Sequence, residues 1–219
     1  MGKKKAKSTE RSAFGLTILK KSHPRMRALS RENEPEIHGD RFWKTSFLVM
    51  DYLRRQGLPE QAKVMELGCG WGLAGIYCAR EFGASVTGVD ADPNVFPYMH
   101  LHAEINGVDL SHRRSRFENL KKKQMAGYDL IIGVEICFWD EMIDPLYKAI
   151  RKALKAGVQQ IVIADPGRPP FDEVCERAQK KLGGEIKEWS VEEPKASGWL
   201  LIIGSLPVKG SSLRFPSTS

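Results

Sequence analysis

Three glycines fall at alternate positions in Gly68-Cys69-Gly70-Trp71-Gly72, between an apolar run, Lys63 to Leu67, and a helical one, Leu73 to Phe82. A plain strand-to-helix bend needs one or two glycines. Three let the backbone turn tightly and approach a ligand with no Cβ in the way, while the unpaired N–H groups at the helix start face it. A dinucleotide fingerprint would require a glycine where Leu73 stands, and Glu66 lies two residues before the first glycine. The loop therefore predicts a nucleotide-like ligand other than a nicotinamide dinucleotide.

The rest of the chain repeats the strand-then-helix unit. The patterning predicts a helix from Trp43, closed by Gly57-Leu58-Pro59, and strands over Ala84 to Val89, Arg113 to Phe117, Tyr128 to Val134 and Gln159 to Ala164. Helices are predicted over Pro93 to Ile105, Pro145 to Lys155 and Phe171 to Leu182. Glu185 to Val191 and Trp199 to Ser205 are strand-like runs with too few residues between them for a helical crossover, so they should pair as an antiparallel hairpin. The expected fold class is α/β, a doubly wound Rossmann-like seven-stranded sheet, mostly parallel, with an antiparallel C-terminal hairpin strand. Ligands of such sheets bind beyond the carboxyl ends of the strands.

Charge divides the chain. Of 34 basic and 27 acidic residues, residues 1–31 hold ten basic side chains and one acid, Glu10, which leaves 24 basic against 26 acidic downstream. The expected organisation is a basic, flexible N-terminal extension over 1–36, one domain over 37–207 and a polar tail over 208–219. Such an extension keeps a protein soluble and could also attract nucleic acid, together with the basic cluster from Arg113 to Lys123, although that partner is not favoured. With 42% hydrophobic residues the chain can bury a core, and no run approaches the ~20 apolar residues of a membrane span. Cys69, Cys78, Cys137 and Cys175 are far apart and lack histidines at ligand spacing, so no metal is expected. A reduced, cytoplasmic protein is the expectation.

Asp90 ends the second strand of the alternation, where the chain turns through Ala91-Asp92-Pro93 into a helix. A carboxylate in that position can accept both hydroxyl hydrogens of a ribose. Asp92 is the expected cap of the helix.

With Glu66-Leu67-Gly68-Cys69-Gly70-Trp71-Gly72, Val89-Asp90, the Tyr128-to-Val134 strand end and the terminal hairpin together, residues 40 to 206 resemble the seven-β-strand S-adenosylmethionine-dependent methyltransferases. The resemblance implies S-adenosyl-L-methionine as methyl donor and S-adenosyl-L-homocysteine as product. It assigns donor binding to Trp43, Glu66, Gly68, Cys69, Gly70, Trp71, Gly72, Asp90, Ala91 and Glu135, with Glu118 and Asn119 toward the adenine.

The acceptor must be read after the fourth strand. Methyltransferases of base amines or glutamine amides usually carry an Asn/Asp-Pro-Pro-Tyr/Phe motif there, and this chain reads Glu135-Ile136-Cys137-Phe138-Trp139-Asp140 instead. That segment resembles the D/E-x-x-Y/F pattern of methyltransferase family 16, many of whose members methylate lysine in proteins. Gly39-Asp40-Arg41-Phe42-Trp43 and Asp165-Pro166-Gly167-Arg168 are similar to further segments of that group. The resemblance implies a protein lysine as acceptor, with Glu135, Phe138, Trp139 and Asp140 at the reacting end. Aromatic side chains would desolvate the amine, and Glu135 or Asp140 could orient its ammonium form. A small-metabolite acceptor and a nucleic-acid-associated binding module remain alternatives at this level, and oligomeric state is not readable.

Overall fold

The computed structural model describes residues 8–36, 39 and 41–207. The basic residues Lys3, Lys4, Lys5 and Lys7, Asp40 and the predicted tail over 208–219 lie outside the described residues.

The first described elements are a hairpin, β1 (Glu10–Ala13) and β2 (Leu16–Leu19), and a helix, α1 (Pro24–Glu32). Then follow α2 (Ser46–Gln56), β3 (Lys63–Leu67), α3 (Leu73–Phe82), β4 (Ser85–Asp90) and α4 (Phe96–Ile105). Next come β5 (Ser111–Arg114), the short α5 (Lys122–Met125), β6 (Leu130–Val134) and α6 (Ile143–Lys155). The last elements are β7 (Gln160–Asp165), α7 (Pro169–Leu182), β8 (Glu185–Val191) and β9 (Ala196–Gly204).

Seven strands form the main sheet in the order β5-β4-β3-β6-β7-β9-β8. Pairings from β5 to β7 are parallel, and β9 runs antiparallel to both its neighbours. The doubly wound sheet with a terminal antiparallel hairpin is therefore as the alternation predicts. Period-2 alternation splits β3 between two cores. Val64 faces one built with α2, α3 and α4, and Met65 and Leu67 face one built with α6 and α7. Between β3 and β6 the winding reverses, since β4 lies on one side of β3 and β6 on the other, and a crevice opens above their carboxyl ends.

The described part of 1–36 is not an extension outside the domain. Leu16, Ile18, Leu19 and Met26 are buried in the core shared with α2, α3 and α4. Asn106 at the end of α4 accepts from the Thr17 N–H at 2.8 Å and donates to the Thr17 carbonyl at 2.9 Å. Buried His102 accepts from the Leu19 N–H at 3.3 Å on Nε2, and its Nδ1–H meets the Tyr98 carbonyl at 2.8 Å. The apolar positions of β2 alternate over four residues only, too short a run to stand out against the surrounding basic charge.

Other boundaries move for local reasons. Trp43 precedes its predicted helix, which starts at Ser46. Asp92 caps as expected, accepting from the Asn94 N–H at 2.9 Å, and Pro93–Val95 forms a 3-10 turn before α4. The weak third strand is Ser111–Arg114, and Phe117–Asn119 is a 3-10 turn. No described helix is long and apolar enough to cross a membrane.

Two outcomes test the N-terminal packing. Ile18→Ala should lower unfolding stability by about 2–4 kcal/mol in a urea titration, and an unpacked segment would show no change. Burial lowers the His102 pKa from 6.5, opposed by the bond to Tyr98. The folded protein thus binds fewer protons there than the unfolded chain, and the stability from neutral His102 is complete above pH 6.5 and lost as the pH falls below it. His102→Gln should flatten the decline of stability between pH 6.5 and 5, and equal slopes would refute it.

Candidate functional site

The loop after β3 is built to bring backbone to the crevice. Gly68, Gly70 and Gly72 all have positive φ, at 61°, 49° and 69°. At Gly68 an added Cβ would lie 2.5 Å from Ile136 Cγ2, and at Gly72 it would lie 2.5 Å from Met99 Cγ. At Gly70 it would meet nothing within 4 Å. The outer glycines thus answer to packing and backbone strain, while the middle one leaves the crevice open.

Two carboxylates frame this loop. Asp90 accepts the Gly70 N–H at 3.1 Å on Oδ2 and the Asp92 N–H at 3.0 Å on Oδ1. Burial raises its pKa, against those two bonds. Glu66, buried beneath the loop, accepts the Gly75 N–H of α3 at 3.0 Å. Burial pushes its carboxyl up to about 8, with the Gly75 bond opposing and the charge of Asp90 adding. The Cys69 thiol is raised well above its ordinary value by burial, which marks it as packing rather than nucleophile. Trp71 anchors the loop, donating from Nε1 to the Gly39 carbonyl at 3.0 Å and stacking on His102 with centroids 4.9 Å apart.

A cavity of about 300 Å³ runs from this loop to the end of β6. Trp43, Glu66, Gly68, Cys69, Gly70, Trp71, Gly72, Asp90, Ala91, Glu118, Glu135, Phe138 and Trp139 all line it. Two expectations are corrected. Asn119 is exposed at the end of its 3-10 turn and is not among the lining residues. Asp140 is exposed and opens another 3-10 turn, so the carboxylate that reaches the cavity is that of Glu141. Glu118 lines it in an ion pair with Arg116 at 2.9 Å, beside Phe117.

At the far end the chain leaves β6 through Glu135, whose φ is 52°. Its carboxylate is buried and fully engaged, accepting from Thr45 Oγ1 and, at 2.5 Å, from Arg168 Nη2. Glu135 is therefore not the free carboxylate expected to orient an incoming ammonium, although it lines the cavity. The other arm of Arg168 binds Asp165 Oδ2 at 2.9 Å, and its guanidinium lies 4.5 Å over the Phe138 ring. Burial raises the Asp165 pKa, against the N–H groups of Arg168 and Gly167. Phe138 packs 5.6 Å from both Trp43 and Trp139, and Trp139 is 47% exposed at the rim. Thr45, Glu141 and the bridging role of Arg168 were missed by sequence reasoning. Only the Asp165-to-Arg168 segment gave any signal, through its resemblance.

This donor set fits an adenosyl sulfonium nucleoside. The crevice offers a carboxylate at the end of β4, an open glycine, the first turn of a helix and an apolar wall at Phe117. Residues 64–157 match the family model described as a methyltransferase domain. Over those residues the chain is similar to methyltransferase domains.

The relatives bear on this domain alone. The ubiquinone biosynthesis O-methyltransferase of Cereibacter sphaeroides is 36% identical over 105 residues, covering 46% of this chain and 40% of that protein. The protein of the same name from Xanthomonas axonopodis pv. citri is 30% identical over 110 residues, covering 49% and 45%. The chain thus spans less than half the length of these curated relatives. Among solved structures, the ribosomal protein L11 methylase of Lactobacillus delbrueckii subsp. bulgaricus aligns with a TM-score of 0.56 at 16% identity, over 74% of this chain and 79% of that one. The human methyltransferase 10 domain containing protein aligns at 0.58 and 14% identity, over 81% and 93%. At such identities the likeness establishes the methyltransferase fold and leaves the acceptor open.

Two measurements test the donor end. Asp90→Ala should weaken S-adenosylhomocysteine binding by about 2 kcal/mol, roughly thirtyfold, in calorimetry, and an unchanged Kd would remove Asp90 from the ribose role. Because the Glu66 pKa is raised from 4.5 to about 8, its stabilisation is complete below pH 4.5 and lost as the pH rises through 8. Glu66→Gln should abolish that component in the donor-free protein, so a stability difference independent of pH from 5 to 8.5 would contradict the raised value.

Proposed function

We propose that the chain transfers a methyl group from S-adenosylmethionine to an amine, the side chain of a lysine in a protein. The observation that carries the transferase reading is the single cavity joining the Gly68–Gly72 loop and Asp90 to the aromatic end at Trp43, Phe138 and Trp139. In this reading Asp90 and the Gly70 backbone hold the donor nucleoside, and Glu66 supports the loop from beneath. The donor supplies a methyl group on a cationic sulfur, a good leaving group for direct displacement.

A lysine is almost fully protonated at neutral pH, so its nitrogen must lose a proton before it can attack. Trp43 and Phe138 form a half-buried aromatic wall that favours the neutral amine. Glu141, exposed at the cavity edge, is the carboxylate available to draw in the ammonium and take part in its deprotonation. The exposed Trp139 at the rim suits a long side chain entering from a macromolecular surface, and the family 16 resemblance of Glu135 to Phe138 supports the same acceptor. A small-molecule acceptor is the second reading, supported by the names of the curated relatives.

Incubation with methyl-labelled donor and cell extract, untreated or protease-digested, tests the choice. Label is expected in intact protein, recovered as methyl-lysine after hydrolysis. Label confined to the low-molecular-weight fraction would transfer the reading to a metabolite. Glu141→Gln should slow transfer on the order of tenfold with donor affinity unchanged, and an undiminished rate would exclude Glu141 from the step.

A further inference from the structure

Glu135 holds a left-handed backbone conformation that a side chain with a Cβ adopts only at a cost. Three contacts fix it. Its N–H donates to the Ala164 carbonyl of β7 at 2.8 Å, and its two carboxylate oxygens accept from Thr45 Oγ1 and from Arg168 Nη2. Arg168 is itself seated by Asp165, which accepts from its Nη1 at 2.9 Å and from its backbone N–H at 2.8 Å. One guanidinium thus joins carboxylates at the ends of two neighbouring strands, β6 and β7. Neither Arg168 nor Asp165 lines the cavity.

Both ends of the cavity depend on this turn. Ile136, the next residue, packs against Gly68 of the donor loop so closely that a Cβ there would stand 2.5 Å from its Cγ2. Phe138, two residues further, is the acceptor wall, with the guanidinium 4.5 Å above its ring. We propose that Arg168 is a positioning residue for methyl transfer. By bridging Asp165 and Glu135 it fixes the turn after β6, and with it the spacing between donor loop and acceptor wall. The forked guanidinium suits this bridge, because it presents Nη1 to Asp165 and Nη2 to Glu135 from one rigid plane, whereas an ammonium is a point charge on a flexible stem. The inference rests on the methyltransferase reading and is indifferent to which molecule accepts the methyl group.

The test compares the wild type with Arg168→Lys, Arg168→Gln and Arg168→Gln/Glu135→Gln. It measures the initial rate of label transfer from saturating S-adenosylmethionine into one cell extract, and S-adenosylhomocysteine affinity by calorimetry. Arg168→Gln should lower the rate on the order of tenfold to a hundredfold, as expected for small misplacements of reacting groups, while donor affinity is kept. Arg168→Lys should fall between it and the wild type. Without its cation a buried carboxylate favours the protonated form, so the Arg168→Gln rate should rise with pH in a step absent from the wild type and smaller in the double variant, where only Asp165 is left without its guanidinium. Rate and donor affinity falling together, with no new pH dependence, would reduce Arg168 to a structural ion pair and overturn the proposal, as would an unchanged rate. Should label enter only small molecules, the lysine reading fails, and the same ranking of variants still decides the role of Arg168. Calorimetric binding identifies any variant that has not folded, and Thr45→Val, which removes the other side-chain contact to Glu135, should then show a milder loss of rate. No loss in that variant would overturn the bracing of Glu135.

Discussion

Backbone must pass between Met99 of α4 and Ile136 after β6 with no room for side chains, and the rest of the structure accommodates that passage. Gly72 abuts Met99, Gly68 abuts Ile136, and Gly88 in β4 abuts both Met99 and Cys69 Sγ. Any Cβ at these points would displace a core residue or push the loop out into the crevice. Close packing of this kind transmits strain instead of absorbing it. The donor loop is therefore positioned by the sheet and helices on both of its sides, and the helix that follows starts where the loop leaves it.

The same edge of the sheet concentrates buried carboxylates, and each is stabilised differently. Among the described residues Glu66 meets backbone N–H groups and no cation, so burial favours its protonated form. Asp90 keeps partial contact with the crevice and shares its oxygens between two backbone N–H groups. Glu135 and Asp165 share one arginine. An acid that burial biases toward its protonated form under the loop, a partly solvated carboxylate beside it and two carboxylates sharing one guanidinium at the far end give the cavity a graded polarity. The proposed cationic donor would meet negative charge at the nucleoside end and a mainly apolar, aromatic surface where the amine is proposed to react.

Much of this was legible in the sequence because it is local. Glycine at alternate positions, proline in the first turns of helices and β-branched runs each act within a few residues, so the order of elements and the placement of Gly68 to Gly72 and Asp90 follow directly. The N-terminal hairpin was not legible. Leu16, Ile18 and Leu19 are too few to signal a strand, and they become core only by meeting Asn106 and His102 more than eighty residues away. The aromatic end of the cavity divides in the same way. Phe138 and Trp139 follow from position, but a 3-10 turn decides that Glu141 and not Asp140 faces the cavity. The engagement of Glu135 depends on Thr45 and Arg168, 90 and 33 residues distant in the chain.

The position of β9 has a consequence for synthesis. Strand β9 is inserted between β7 and β8, so until residue 204 has emerged β7 carries a bare row of donors and acceptors beside the apolar side chains of Ile161 to Ala164. Edges of that kind invite pairing with other chains. A nascent polypeptide stalled or truncated before the β8–β9 hairpin would be left with a sticky, half-closed sheet, although the Gly68–Gly72 loop would already be complete.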